Sequence, residues 1–130
     1  HASETQIGHF LTRVPVAEAL MLDIVGASLT HPITPNILSR ATARVMEPRT
    51  PARKGKDSTK DCVVVESYLE VAGELRALGH GGDIIFASSN VNEFLSGSPR
   101  VLNADIAAEF DALGIQYSRA LHETRYLLGL

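Results

Sequence analysis

The sequence predicts an α/β fold, a short parallel sheet flanked by helices, and three observations carry that prediction. A helical run from Asp61 to Leu78 is followed by a glycine turn, Gly79 to Gly82, and then by an apolar run, Asp83 to Ser88, of the buried strand type. A second helical run, Ala104 to Leu113, stops at Gly114 and gives way to another apolar run, Ile115 to Ser118. Strand, helix and strand in that order require a crossover connection and parallel pairing.

Composition agrees with a folded chain. At 130 residues, with 45% hydrophobic and 21% charged side chains, one domain with its own core is expected. No apolar run approaches the ~20 residues that cross a bilayer, and no charged-then-apolar secretory pattern is visible, so no membrane association and a cytoplasmic location are expected. The single cysteine, Cys62, lies beside three valines and reads as a small core residue. The net charge of −3 excludes a uniformly basic nucleic-acid binder, yet the charge is unevenly spread.

Three stretches follow along the chain: a helical part (1–47), a basic loop (48–60) and an α-β-α-β-α core (61–130). Ser3 to Thr12 suits a short helical turn. Pro15 suits the first position of a helix over Val16 to Leu29, with Asp23 inside it; the same run can be read as a strand ending at that carboxylate. Thr30 to Pro32 is a connection, because a residue before proline is pushed out of the helical region, and His31 reads as a loop histidine. Thr34-Pro35 opens the next helix, with Ile37, Leu38, Ala41 and Val45 at helical spacing; Arg40 and Arg44 fall on another face, expected to be solvated. Pro48 ends it.

The basic loop sets five cations, Arg49, Arg53, Lys54, Lys56 and Lys60, against the single acid Asp57. Clustered cations on an irregular segment suit contacts to backbone phosphates, which need charge more than exact geometry. Gly55-Lys56 ahead of Ser58-Thr59 does not make a phosphate loop, since the spacing is wrong and no strand precedes it. Ser58 and Asp61 have the spacing of a capping box at the start of the next helix. Within that helix Glu66, Glu70 and Glu74 share one flank, Glu70 and Glu74 reading as solvated. After the first strand a polar loop, Ser88 to Pro99, leads to a helix capped by Asn103; a helical segment, His122 to Leu128, ends the chain.

Open parallel sheets bind ligands at the carboxyl ends of their strands. The first strand delivers Ser88, Ser89, Asn90 and Glu93 to that edge, hard oxygen donors that suit Mg²⁺ or Mn²⁺ better than zinc. The run Pro51-Ala-Arg-Lys-Gly-Lys-Asp-Ser-Thr-Lys-Asp61-Cys-Val-Val-Val-Glu66-Ser-Tyr-Leu, with Ile-Ile-Phe-Ala-Ser88-Ser-Asn90-Val-Asn-Glu93-Phe94, resembles the C-terminal half of PIN-like nuclease domains. The similarity is to a bacterial branch with a lysine-bearing loop before a "K-D-C" helix start, and it covers about Pro51 to Leu130.

That resemblance implies a three-layer, PIN-like arrangement of the sheet and helices and a divalent-metal-dependent endonuclease acting on RNA. It implies Asp61 and Glu93 as catalytic acids, a metal held by Asp61, Asn90 and Glu93, and substrate contacts from Ser88, Asn90, Arg53, Lys54, Lys56 and Lys60. Glu66 falls inside the motif with a supporting role. Two features depart from the family pattern: no opening strand ending in aspartate is found, Asp23 being the sole candidate, and Glu93 stands where aspartate is expected. A domain lacking its front, with weak ion binding and reduced or absent activity, is therefore expected. Two other classes fit the same residues: a non-catalytic RNA-binding module using the Arg49 to Lys60 loop with Arg40 and Arg44, and a toxin-like interaction domain whose sheet edge is covered by a protein partner or a second copy. A serine hydrolase is disfavoured, since Ser88 and Ser89 lack a glycine-flanked elbow.

Overall fold

A computed structural model describes Gly26, Ser28 and residues 30–130. The chain divides into two compact units, His1–His31 and Pro32–Leu130. The expected turn over Ser3 to Thr12 and most of the helix over Val16 to Leu29, Asp23 included, lie outside the described residues.

Helix α1 (Pro35–Met46) starts where the Thr34 hydroxyl accepts the Ile37 N–H at 3.2 Å and proline fills the first turn. Its buried positions are Ile37, Ala41 and Arg44, and it packs along α2 (Thr59–Ala77). Arg44 is thus not on a solvated face: its side chain is fully buried. The start of α2 also differs from the capping-box expectation. Asp57 accepts the Thr59 N–H at 3.1 Å, while the Ser58 hydroxyl is buried without a hydrogen-bond partner. An Asx-type contact two residues along the chain has displaced the serine cap.

Strand β1 (Ile84–Ala87) pairs in parallel with β4 (Ile115–Ser118), Ile84 opposite Ile115 and Ala87 opposite Ser118. The intervening segment, expected to be a polar loop up to Pro99, is more ordered than that. It holds a one-turn helix α3 (Val91–Phe94) and a small antiparallel hairpin, β2 (Leu95–Ser96) with β3 (Val101–Leu102). Helix α4 (Ala104–Leu113) follows, ended by Gly114 in the left-handed region (φ 65°), then β4 and α5 (Leu121–Leu127). The result is mixed α/β, with a two-strand parallel sheet flanked by helices. Among the described residues no helix is long and apolar enough to cross a membrane.

The core is Val65 and Ala72 from α2, Phe86 and Ile115 from the sheet, Phe94, and Ile106 and Phe110 from α4. Phe86 is its centre, with the rings of Tyr68, Phe94, Phe110 and Tyr117 at centroid distances of 4.7 to 6.2 Å. At the amino ends of both strands, Arg76 ties the two incoming turns together. Its guanidinium donates to the carbonyls of His80, Gly82 and Leu113 at 2.8 Å and of Gly114 at 3.2 Å. That edge is closed by the fold's own backbone.

Candidate functional site

The opposite, carboxyl edge of the sheet is built differently. Strand β1 hands over to Ser88, whose N–H reaches the Ser118 carbonyl at 2.9 Å and whose carbonyl accepts the Tyr117 hydroxyl at 2.9 Å. The Ser88 hydroxyl in turn accepts the Asn90 N–H at 3.2 Å, turning the chain into α3. Asn90 precedes that helix, but its side chain makes no capping bond and lies exposed. A shallow cleft of about 190 Å³, lined by Ala87, Ser88, Ser89, Arg119, Ala120 and Leu121, opens at the ends of β1 and β4.

Glu93, on α3, is the buried acid of this region, with 3% of its side chain exposed. Two loop cations converge on its Oε1: the Lys56 ammonium, and the Arg53 guanidinium at 3.3 Å. Its Oε2 is buried and accepts no hydrogen bond. A buried carboxylate oxygen without a hydrogen bond is the kind of acceptor a cation satisfies; Glu109 Oε1 is a second one, and there the Arg49 guanidinium stands at 3.7 Å.

The loop between α1 and α2 is pinned rather than free. Thr50 donates its N–H and its hydroxyl to Asp105 at 2.7 and 2.8 Å, accepts from the Asn103 amide at 3.0 Å, and offers its carbonyl to Arg44 at 2.7 Å. Burial works to raise the Asp105 pKa, but the two bonds from Thr50, that from the Ile106 N–H and the nearby Arg44 charge outweigh it and hold the carboxyl below its ordinary value. Asn103, expected to cap α4, makes no side-chain cap; it accepts the Ser96 hydroxyl at 2.6 Å instead.

Arg44 anchors the start of the loop from below. Nε meets Glu66 at 3.0 Å, Nη1 meets the Thr50 carbonyl, and Nη2 meets Glu109. Burial works to lower the Arg44 pKa, but the carboxylates of Glu109 and Glu66 outweigh it and hold the guanidinium above its ordinary value. Glu66 uses its other oxygen for Arg40 at 3.2 Å, and Arg40 reaches Glu70 at 3.0 Å, so Glu70 belongs to an ion-pair chain rather than to open solvent. Both Glu66 oxygens are occupied, which makes its role structural.

Of the residues singled out from the sequence, the structure brings together Arg53, Lys56 and Glu93, and separately Ser88 and Asn90. Asp61 sits half-buried in the first turn of α2, and no described residue donates a hydrogen bond to its carboxylate. Lys54 and Lys60 are exposed and make no described ion pair. Among the described residues no three His, Cys, Asp or Glu side chains converge on one point. Asp61, Asn90 and Glu93 would bring two acids and an amide, a hard-oxygen set whose chemistry suits a divalent ion. Sequence reasoning missed Thr50, Asp105 and Glu109, since nothing near any of them signals a partner more than 50 residues away. Compared with known proteins, the chain matches no family model, no curated protein and no solved structure.

Proposed function

We propose that this chain is a divalent-metal-dependent endonuclease of the PIN type acting on RNA with reduced activity, as its departures from the family pattern imply, with its site at the carboxyl edge of the parallel sheet. On this reading the two-strand sheet belongs to a PIN-like three-layer arrangement, and the protein works in the cytoplasm. The observation that carries the proposal is the pairing of Arg53 and Lys56 with Glu93. It ties the most basic stretch of the chain to the segment that follows β1, so cations that attract a phosphate backbone and oxygens that suit Mg²⁺ or Mn²⁺ share one neighbourhood.

In this scheme Asp61, Asn90 and Glu93 hold the ion. When bound, the ion supplies activation of the attacking water and stabilisation of the charge developing at phosphorus. Lys54 and Lys60 hold flanking phosphates electrostatically, and the Ser88 hydroxyl, next to Asn90, orients the strand to be cut. The test is a Mg²⁺ titration followed through the backbone amides of Asp61 and Asn90. Saturable shifts at both, lost in Asp61→Ala, support the proposal; shifts at neither overturn it.

One observation favours a second reading, an RNA-binding module that does not cut. Glu93 already has two cations against one of its oxygens. If that pairing persists with RNA bound, affinity falls steeply with salt and no cleavage accompanies binding.

A further inference from the structure

We propose that Lys56 is a built-in counter-ion for Glu93 that a divalent cation displaces, so that anchoring of the basic loop and cation binding at Glu93 are alternative states of one carboxylate. The inference rests on the reading of Glu93 as a metal ligand and adds a regulation of that site. A buried carboxylate needs a compensating charge, because desolvation penalises the bare anion. Here the compensation is lopsided. Lys56 and Arg53 both approach Oε1, and Oε2 keeps no partner.

The two sides of the pairing differ in freedom. The Glu93 side chain is 3% exposed and flanked by the core residue Phe94, whereas the Lys56 and Arg53 side chains are 40% and 59% exposed on a loop. Between them Gly55 takes a positive φ of 85° and borders open space, in a turn closed by the Lys56 N–H donating to the Arg53 carbonyl at 3.3 Å, so the two side chains project from a small turn with little packed against it at Gly55. Glu93 is the fixed partner and the cations are the movable ones.

A divalent ion at Glu93 offers twice the charge of an ammonium and can use Oε2 as well as Oε1. It also repels the Lys56 ammonium at close range, so the two compete for the carboxylate. Displacement stays local because the start of the loop is held at Thr50 by Asp105, Asn103 and Arg44, none of which touches Glu93's carboxylate. Arg53 and Lys56, once released, become donors for phosphate. Cation binding thereby makes the loop competent to hold the nucleic acid.

The experiment is calorimetric titration of the full chain with MnCl₂, comparing wild type, Lys56→Met and Asp61→Asn, with amide hydrogen exchange of residues 52–57 measured at zero and saturating Mn²⁺. Removing the competing charge should tighten Mn²⁺ binding in Lys56→Met about ten-fold. In the wild type, Mn²⁺ should speed exchange across residues 52–57 and leave α1 and α2 unchanged; this arm needs no variant to fold. Equal or weaker Mn²⁺ affinity in a folded Lys56→Met, or loop exchange that ignores Mn²⁺, overturns the exchange of counter-ions. If Asp61→Asn still weakens Mn²⁺ binding in that case, the metal site stands without the switch. Absence of saturable Mn²⁺ binding in every variant removes the metal reading and this inference with it.

Discussion

Two buried charges bracket the basic loop, and they are satisfied to opposite degrees. Arg44, under the loop's first residues, has a partner for each of its three guanidinium nitrogens: Glu66, the Thr50 carbonyl and Glu109. Glu93, beside the loop's middle, has two solvent-exposed cations on one oxygen and nothing on the other. A fully paired buried charge fixes geometry, whereas a half-paired one is a place where a ligand or a moving part can gain free energy. The first region holds the fold, and the second is where chemistry is to be sought.

Substitutions at the two charges should therefore behave differently. Arg44→Met leaves Glu66 and Glu109 without their central cation and should cost about 3–5 kcal/mol in urea unfolding, as loss of one member of a buried ionic cluster does. A loss below ~1 kcal/mol would place Arg44 among ordinary exposed ion pairs and erase the contrast. Asp105→Asn, which weakens the acceptor for Thr50, should cost about 1 kcal/mol and raise hydrogen exchange at the loop's start.

The same residue gives a pH signature. Because its pKa is depressed in the folded state, the stability Asp105 contributes is present above its unfolded value, near ~3.9, and is lost as pH falls through the lower folded value. Acid titration of unfolding should show a steeper loss for wild type than for Asp105→Asn in that window; identical profiles would mean the Thr50 bonds do not favour the ionised carboxyl.

Glu93→Gln should leave stability within about 1 kcal/mol, since Lys56 and Arg53 turn to solvent when the charge goes, yet it should abolish Mn²⁺ binding. A large stability loss with Mn²⁺ binding intact would make Glu93 a structural charge like Arg44. The smallest effect on stability belongs to the doubly substituted Lys54→Ala, Lys60→Ala chain, within about 0.5 kcal/mol. Its effect on RNA is predicted to be larger: the salt dependence of binding to single strands should flatten by about 1.4 in log–log slope if both lysines meet phosphate. An unchanged slope would exclude them from the interface.

Much of the frame was legible because its punctuation is local. Thr34-Pro35, Gly79, Gly114 and the two apolar runs mark boundaries within a turn of where the elements begin or end, and the parallel pairing of β1 with β4 follows from their order. The β2–β3 hairpin was not legible, since two-residue strands leave no periodicity to read. Ser58 misled because Asp57, one residue earlier, competes for the same helix start.

The site was legible only as residue types. Arg40 and Arg44 share a face by spacing, but whether that face meets solvent or carboxylates depends on Glu66, Glu70 and Glu109, at least 22 residues further along the chain. Glu93 could be marked as an acid after a strand. That two loop cations, 37 and 40 residues earlier, would cover one of its oxygens depends on tertiary packing alone.

The most direct measurement is cleavage of single-stranded RNA by the full chain across a Mn²⁺ series, beside EDTA and the Asp61→Ala variant. Cleavage that appears only with Mn²⁺ and disappears in Asp61→Ala is the predicted result. No cleavage at any Mn²⁺ concentration, or equal cleavage by Asp61→Ala, would contradict a metal-dependent nuclease at this edge of the sheet.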